Sequence, residues 1–262
     1  MAIDPKAIQV YLPAWMGGAK KLLLQQIARG SGRLMTSNPE DLDALPADVL
    51  PLICCTGEIM PQVQRWQKTG RTFLYWDRGY LRRIGGLWLP TDGTTGYLRF
   101  NLNTFQMQEI RKVPPDRWNR LQVPVKPWHQ GGRKVVVATT NSSYWQMHSI
   151  EGWLDRTLVT LREHTDRPVI VRHKDSKLPL EAELEDAHCL VAHGSNAAIE
   201  SVILGCPVIV DKISAAALVG RTELSDVERL VYPDREPWLH SLAYSQYSEL
   251  EVVSGQAWSM VR

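Results

Sequence analysis

The feature that most constrains the fold is a series of short apolar segments in the second half of the chain, each followed by a helical pattern. The first, Lys134–Thr139 (KVVVAT), is a continuous apolar run, which is typical of a strand buried on both faces of a parallel sheet. Three further strands are predicted at Pro168–Arg172, Cys189–Ala192 and Pro207–Asp211. Because successive parallel strands need crossover helices, the series predicts a doubly wound α/β domain.

Helices are predicted between these strands, at Ile150–Glu163, Leu180–Ala187 and Ser195–Leu204. The first half also alternates, although less regularly. Strands are predicted there at Ile8–Leu12, Leu50–Thr56, Arg71–Trp76 and Gly96–Asn103, and helices at Gly18–Arg29 and Pro61–Thr69. Alternation of this kind favours a second α/β unit over an all-β barrel, with residues 77–80 as a loop after the third strand.

A segment rich in proline and glycine separates the two halves. Val113–Lys134 contains four prolines and a Gly-Gly pair, and that density of breakers predicts a domain junction or a long crossing loop. We therefore expect a first domain over residues 1–127 and a second over 128–235. Residues 236–262 are expected to form one or two helices.

Charge is divided unequally between the halves. Residues 1–127 carry 17 Lys and Arg against 10 Asp and Glu, whereas residues 128–262 carry 13 against 18. The basic half favours a polyanionic partner, and its tryptophans could supply a stacking surface. The alternative is a pair of ordinary solvated surfaces.

Several classes of protein are excluded. No stretch approaches the ~18 consecutive apolar residues of a membrane helix, and no secretory signal opens the chain, so a cytoplasmic protein is expected. The four cysteines lack C-x-x-C or Cys/His ligand spacing, so we expect no metal site and no disulfide framework.

The most informative motif is the turn that follows the Cys189–Ala192 strand. The chain passes through His193 and Gly194 into a helix that Ser195 or Asn196 would cap. Free backbone N–H groups and the helix dipole make such a helix start a candidate phosphate site. Glu200 follows one turn later, within reach of a ribose. The alternative is an ordinary strand-to-helix turn, which every α/β protein contains.

A second polar turn, Asn141-Ser142-Ser143, follows the first strand of the same domain. It would present Ser142 at the edge of the sheet where the His193 turn lies, so we interpret it as a second phosphate-facing loop. The alternative is a polar turn without a ligand.

The segment from His193 to Pro207 resembles the donor-binding segment of glycosyltransferases with the GT-B architecture, over about residues 134–235. In that family a Glu five positions before a Gly-x-Pro turn binds the ribose of a nucleotide-sugar, and Glu200, Gly205 and Pro207 match this spacing. A basic residue after the preceding strand often meets the diphosphate, which implies this role for Arg172 and Lys174.

The resemblance implies two Rossmann-like domains facing a cleft, with the C-terminal helix crossing back to the first domain. It implies a nucleotide-sugar as co-substrate, with a UDP-sugar as the first candidate, and no further cofactor. Gly194, Ser195 and Asn196 would complete the donor site. The first domain would bind the acceptor.

The whole chain is also similar to a group of phage-encoded proteins, some of whose relatives are suspected to glycosylate modified bases in phage DNA. The similarity rests on three segments: YWDRGY (Tyr75–Tyr80), YLRFNLN (Tyr97–Asn103) and the C-terminal LAYSQYSELEVVSGQAW. It implies DNA as the acceptor, a role for the basic half in binding phosphates, and the host cytoplasm as the location.

Glycosyl transfer with inversion needs a group that removes the proton of the acceptor hydroxyl. Asp77, expected in a loop after an apolar strand, is the first candidate and His193 the second. Asp77 could instead form an ion pair with an arginine, and His193 could be a packing residue. Acceptor binding is assigned to Arg78, Arg82, Arg99 and Asn101, although Arg99 and Asn101 could simply form the polar face of an edge strand.

The sequence thus favours a glycosyltransferase that moves a sugar to an acceptor hydroxyl, first of all a hydroxymethylated base in DNA. Two alternatives stay open. One is a sugar or glycerophosphate transferase acting on a surface glycan, and the other is a non-catalytic nucleotide-binding or DNA-binding protein.

Overall fold

The computed structural model describes residues 2–54, 57–83, 86–90 and 96–261. Helices and strands alternate along most of this length. The strands are β1 (Ile8–Val10), β2 (Leu50–Cys54), β3 (Leu74–Arg83), β4 (Gly96–Leu102), β5 (Lys134–Ala138), β6 (Val169–Arg172), β7 (Ala187–Ala192) and β8 (Val208–Val210). The helices are α1 (Gly18–Ser31), α2 (Met60–Thr69), α3 (Asp116–Leu121), α4 (Ser142–His148), α5 (Trp153–His164), α6 (Leu180–Leu184), α7 (Asn196–Ile203), α8 (Glu236–Ala243) and α9 (Glu249–Val253). The predicted α/β class is confirmed. The last two residues of the predicted Leu50–Thr56 strand lie outside the described residues.

The chain divides into two compact units. Unit 1 is Met1–Phe105 with Leu242–Arg262, and unit 2 is Gln106–Ser241. The predicted boundary lay after Pro127, so the structure places it earlier. The reason is that the segment following Phe105 bonds within unit 2. The side chain of Gln106 binds the backbone of residues 194 and 215, and the N–H of Arg111 donates to Ser241 Oγ (2.8 Å).

Unit 1 contains a four-stranded sheet in the order β1-β2-β3-β4. The first three strands are parallel and β4 runs antiparallel to β3. Apolar residues of this sheet pack against α1 and the C-terminal segment, whose Tyr247 exchanges backbone hydrogen bonds with Leu98.

Strand β3 differs from its prediction. We expected a strand ending at Trp76 and a loop over residues 77–80, whereas β3 continues to Arg83. Two interactions explain the extension. Tyr80 and Leu81 are buried in the sheet, and Asp77 lies opposite Arg99 of β4, where the two side chains form an ion pair. An opposite-charge cross-strand pair stabilises this position of an antiparallel sheet.

Unit 2 contains a wholly parallel sheet in the order β6-β5-β7-β8. Val135, Val137 and Val191 face one apolar cluster, which Leu161 of α5 completes. The alternate residues Val136, Leu190 and Val208 are buried as well, so both faces of the sheet are covered. Strands that are apolar throughout their length are expected under this constraint.

The strand order places a switch point between β5 and β7. From β5 the chain passes to β6 on one side and then returns to β7 on the other. The loops that leave β5 and β7 therefore diverge from neighbouring strands at the carboxyl edge of the sheet. In open α/β sheets this crevice is where ligands bind.

The C-terminal region contains two helices, as predicted for residues 236–262. The division between the units falls between Ser241 and Leu242, inside α8. Helix α9 begins at a capping box, in which Ser248 Oγ accepts from the N–H of Glu251 and the Glu251 carboxylate accepts from the N–H of Ser248. Among the described helices, none has the length and apolar character needed to span a membrane.

Candidate functional site

The turn after β7 is held in place from two sides. Ser195 caps α7, since its Oγ accepts from the N–H of Ala197 (3.0 Å). The Gln106 amide donates to the carbonyl of Gly194 and accepts from the N–H of Ala215 (2.9 Å). A Cβ at Gly194 would lie 2.5 Å from the Tyr144 hydroxyl, so any other residue here would displace the Tyr144 side chain. The turn is thus built with little freedom to move.

His193 is the centre of a cluster at this edge of the sheet. It is only 7% exposed, and its Nδ1 lies 3.1 Å from the Tyr144 hydroxyl. On the other side of the ring, Nε2 lies 3.8 Å from Oδ2 of Asp211, the residue after β8. The rings of His148 and Trp153 lie 5.5 and 6.2 Å from the His193 ring. The loops after β5, β7 and β8 all contribute to this His193 cluster.

Burial keeps both imidazoles of the cluster neutral. Burial, and then the neighbouring His193, lower the pKa of His148 to about 4, against an opposing effect of Asp211. Burial also lowers the pKa of His193, and the carboxylate of Asp211 opposes this shift. A neutral imidazole with a carboxylate on one nitrogen can accept a proton from a hydroxyl and is then stabilised as the imidazolium.

Arg172, one of the two residues assigned to the diphosphate, has an acidic partner within unit 2. The guanidinium of Arg172 lies 2.6 Å from the Glu183 carboxylate of α6 and donates to the carbonyl of Leu178 (2.9 Å). Its side chain is mostly buried, so Arg172 fixes the loop after β6 and its charge is neutralised there. Lys174 lies in the same loop and is exposed. These contacts hold the Arg172 side chain within unit 2, and diphosphate binding by Arg172 and Lys174 stays a prediction.

The remaining donor residues lie on the loops and helix ends that surround the His193 cluster. Asn196 is the first residue of α7 and is half-buried, and Glu200, one turn later, is 7% exposed. Ser142 is exposed at the start of α4, where Asn141 Oδ1 caps the helix by accepting from the N–H of Tyr144 (3.0 Å). The turn predicted at residues 141–143 is therefore a helix start. Ribose and phosphate contacts by these residues stay predictions.

The predicted catalytic Asp77 and the predicted acceptor residues lie in unit 1. Asp77 Oδ2 lies 2.9 Å from the guanidinium of Arg99, whose side chain is 6% exposed and also covers the Tyr80 ring at 4.9 Å. Asn101 is buried and donates to the carbonyl of Phe105 (3.3 Å). These contacts match the alternative in which Asp77 is an ion-pair partner.

Arg78 and Arg82, the other two predicted acceptor residues, lie on β3. Arg78 is exposed, whereas Arg82 is half-buried and donates to the carbonyl of Leu89 (3.5 Å). Of the four residues assigned to acceptor binding, Arg78 is the most exposed and is therefore the cation most accessible to a polyanion.

Four residues of the site were not identified from the sequence: Tyr144, His148, Trp153 and Asp211. Tyr144 and His148 are four residues apart on α4, and their rings lie 4.3 Å from each other. A spacing of four residues is typical of one helix face, but the predicted helix begins only at Ile150 and so leaves out both residues. Asp211 is the last residue of the predicted Pro207–Asp211 strand and is aligned with the His193 turn by the parallel pairing of β7 with β8.

Although this cluster combines imidazoles and a carboxylate, no group of three or more His, Cys, Asp or Glu side chains in the described ranges is arranged to hold a metal ion. Cys55 lies outside these ranges.

No protein-family model matches the sequence, and no curated protein matches it either. Among solved structures, one match is the β Kdo 2,4 transferase KpsC of Thermosulfurimonas dismutans, at 12% identity and a TM-score of 0.48. The match covers 90% of each chain. A TM-score of this size does not establish a common fold.

The titration of His148 gives a first prediction. In the folded chain His148 stays neutral down to about pH 4, whereas in the unfolded chain it binds a proton near pH 6.5. The unfolded state therefore binds more protons between these values, and stability falls as the pH drops through this window, by up to about 3 kcal/mol. His148→Gln should flatten this part of the pH dependence, measured by urea unfolding between pH 4 and 7.

The matched control is His164→Gln, since His164 is exposed at the end of α5. It should leave the pH dependence as in the parent protein. If His148→Gln and the parent lose stability equally between pH 6.5 and 4, the buried neutral state of His148 is wrong.

The Asp77–Arg99 pair gives a second prediction. Asp77→Asn keeps the shape of the side chain but removes the carboxylate charge beside the buried guanidinium of Arg99, so we expect a loss of about 2–4 kcal/mol in unfolding free energy. Asp43→Asn is the control, because its partner Arg65 is more than half exposed and such pairs contribute about 0–1 kcal/mol. Unchanged stability in Asp77→Asn would show that the ion pair is not structural and would restore Asp77 as a candidate base.

Proposed function

We propose that this chain is a glycosyltransferase of the GT-B type, which binds a nucleotide-sugar at the carboxyl edge of the unit 2 sheet and transfers the sugar to an acceptor hydroxyl. The observation that supports this most is the neutral, buried His193 between the Tyr144 hydroxyl and the Asp211 carboxylate. It lies beside the start of α7, an eight-residue helix that begins at a capped turn.

The two requirements of glycosyl transfer fit this edge of the sheet. A nucleotide needs groups for its phosphates and its ribose. The start of α7 carries the positive end of the helix dipole, which favours the phosphates, and Glu200 one turn later offers a carboxylate to the ribose hydroxyls. The acceptor hydroxyl needs a proton acceptor, and a neutral imidazole oriented by a hydroxyl and a carboxylate has the right protonation state near pH 7.

In this mechanism the Nε2 atom of His193 takes the proton of the acceptor hydroxyl as the oxygen attacks the anomeric carbon of the sugar. The Nδ1 atom keeps its own proton and donates it to the Tyr144 hydroxyl, which orients the ring. The bond between the anomeric carbon and the phosphate oxygen breaks, and the phosphate leaves with the bonding electron pair. Asp211 stabilises the imidazolium that forms, and the positive end of the α7 dipole stabilises the charge of the departing phosphate.

A donor-binding experiment tests this proposal. A ligand that binds only the folded state raises the melting temperature, so a panel of nucleotide-sugars, beginning with UDP-sugars, should contain at least one that stabilises the protein. Glu200→Gln removes the charge that accepts the ribose hydrogen bonds and should weaken that donor by roughly tenfold or more, which corresponds to about 1.5–3 kcal/mol. Isothermal titration calorimetry measures the loss.

Glu163→Gln is the matched control, since Glu163 is exposed on α5 and undergoes the same chemical change. It should bind the donor as the parent does. A panel in which no nucleotide-sugar stabilises the protein would overturn the glycosyltransferase proposal. Equal affinities for Glu200→Gln and the parent would remove Glu200 from the donor site.

DNA as the acceptor is the finer part of the proposal, and it is supported by the positive balance of residues 1–127. The cationic side chains of this half differ in how accessible they are to phosphates. Arg99 is paired with Asp77, whereas Lys68 and Arg78 are exposed. If these two bind phosphates, each replacement by Ala should reduce the slope of log K against log salt on duplex DNA by about 0.9.

Filter binding at several salt concentrations measures this slope, and Lys177→Ala in unit 2 is the control for loss of one exposed charge. The control should keep the parent slope. Absence of DNA binding at low salt would exclude DNA and favour a surface glycan as acceptor. Salt-dependent DNA binding without sugar transfer to hydroxymethylated DNA would favour a non-catalytic DNA-binding protein.

A further inference from the structure

A cavity opens beside the His193 cluster, on the α5 face of the unit 2 sheet. Its volume is about 310 Å³, at the lower end of the range for small-molecule sites. The ends of β7 and β8 form its apolar floor, and Trp153 at the start of α5 forms an aromatic wall. The remainder of the lining is Leu224 and five oxygen-bearing side chains, those of Thr160, Asp211, Thr222, Glu223 and Ser225.

Two residues connect this cavity to the His193 cluster. Asp211 lines the cavity and also has its Oδ2 3.8 Å from Nε2 of His193. Trp153 lines the cavity and meets the His193 ring edge-on, at 6.2 Å. In addition, the N–H of Asp211 donates to the carbonyl of His193 (3.0 Å), so the two loops are fixed to each other. A molecule in the cavity would therefore lie next to the proposed proton acceptor.

We propose that this cavity holds the sugar of the donor and that it selects a neutral, hydroxyl-rich sugar over an acidic one. The inference rests on the proposed function, since it places one part of the same donor. An aromatic ring packs well against the C–H face of a sugar. The carboxylates and hydroxyls of the lining accept hydrogen bonds from sugar hydroxyls.

The charges of the lining decide between classes of sugar. The Glu223 carboxylate forms no hydrogen bond or ion pair with the described residues. The Asp211 carboxylate accepts from the N–H of Ile213 (3.0 Å), and its one ion-pair partner among the described residues is His193, which is neutral near pH 7. Among the described residues that line the cavity, none is basic. A carboxylate on the sugar would thus face two negative charges that no described cation neutralises, whereas a hydroxymethyl group at the same position would meet hydrogen-bond acceptors.

The lining also fits a sugar better than the base of a nucleotide. A pyrimidine such as uracil presents two carbonyl oxygens at its edge, and these would oppose the carboxylates of Asp211 and Glu223. A sugar presents hydroxyl donors in several directions, and five side chains with acceptor oxygens line the cavity. We therefore assign the base of the donor to another part of the edge.

The test uses pairs of nucleotide-sugars that differ only in the charge at C6: UDP-glucose with UDP-glucuronate, and GDP-mannose with GDP-mannuronate. Calorimetry at low salt should show that the protein binds the neutral member about fivefold or more tightly, because exposed charges of like sign repel to this extent. The preference should shrink in high salt, since exposed charges are screened. Glu223→Gln should reduce the preference at least twofold without changing affinity for the bare nucleotide.

Controls separate this inference from the proposal on which it rests. Glu163→Gln should keep the parent preference, and Trp153→Leu should weaken the nucleotide-sugar much more than the bare nucleotide. If a nucleotide-sugar binds but Glu223→Gln keeps the parent preference, or the acidic member binds better, the assignment of the cavity is wrong and the glycosyltransferase proposal stands. If no nucleotide or nucleotide-sugar binds at all, both are overturned.

Discussion

Strand β7 pairs in parallel with β5 on one edge and with β8 on the other, and the candidate site depends on this double pairing. Leu190 aligns with Val136 on one side and with Val208 on the other, and every residue of β7 is buried. A strand that is paired on both edges cannot slip by one residue without breaking both hydrogen-bond ladders and moving every side chain to the opposite face of the sheet. The position of His193, which follows directly after β7, is therefore fixed relative to the loops after β5 and β8.

The proline-rich segment before β5 contributes to the same arrangement. The sequence favours a linker there, but the structure ties this segment to α7. The N–H of Lys126 donates to Ile203, that of His129 donates to Gly205, and the Arg235 guanidinium donates to Val202 and Lys126. A Cβ at Gly205 would lie 2.0 Å from the carbonyl of Pro127, so glycine is required for this close approach. The proline-rich segment is therefore an ordered loop that crosses unit 2, because its backbone groups form hydrogen bonds with residues at the end of α7 and with Arg235.

The elements that the sequence predicts well are those whose burial leaves a simple pattern. The strands of unit 2 are apolar throughout, and the turn at Gly194 and Ser195 combines a glycine with a helix cap, so both were recognisable. The missed features depend on residues distant in sequence. The continuation of β3 depends on the pairing of Asp77 with Arg99, and the position of Arg172 depends on Glu183 of α6. No local pattern encodes such partners, which is why the predicted loop at Asp77 differs from the structure and the ion pair of Arg172 was not foreseen.

The proton acceptor that we propose has to satisfy two opposing requirements. It must be neutral before the reaction, and it must be stabilised once it has taken a proton. Burial among Tyr144, His148 and Trp153 lowers the pKa of His193 and meets the first requirement, while the carboxylate of Asp211 opposes that shift and meets the second. The 3.8 Å separation of Nε2 from Asp211 is longer than a hydrogen bond, so the carboxylate attracts the imidazolium without forcing the proton onto the resting ring. A closer carboxylate would favour the protonated ring at rest and so remove the base, whereas a cluster without Asp211 would leave the imidazolium buried and uncompensated. The cluster thus has the balance of burial and charge that a general base near neutral pH requires.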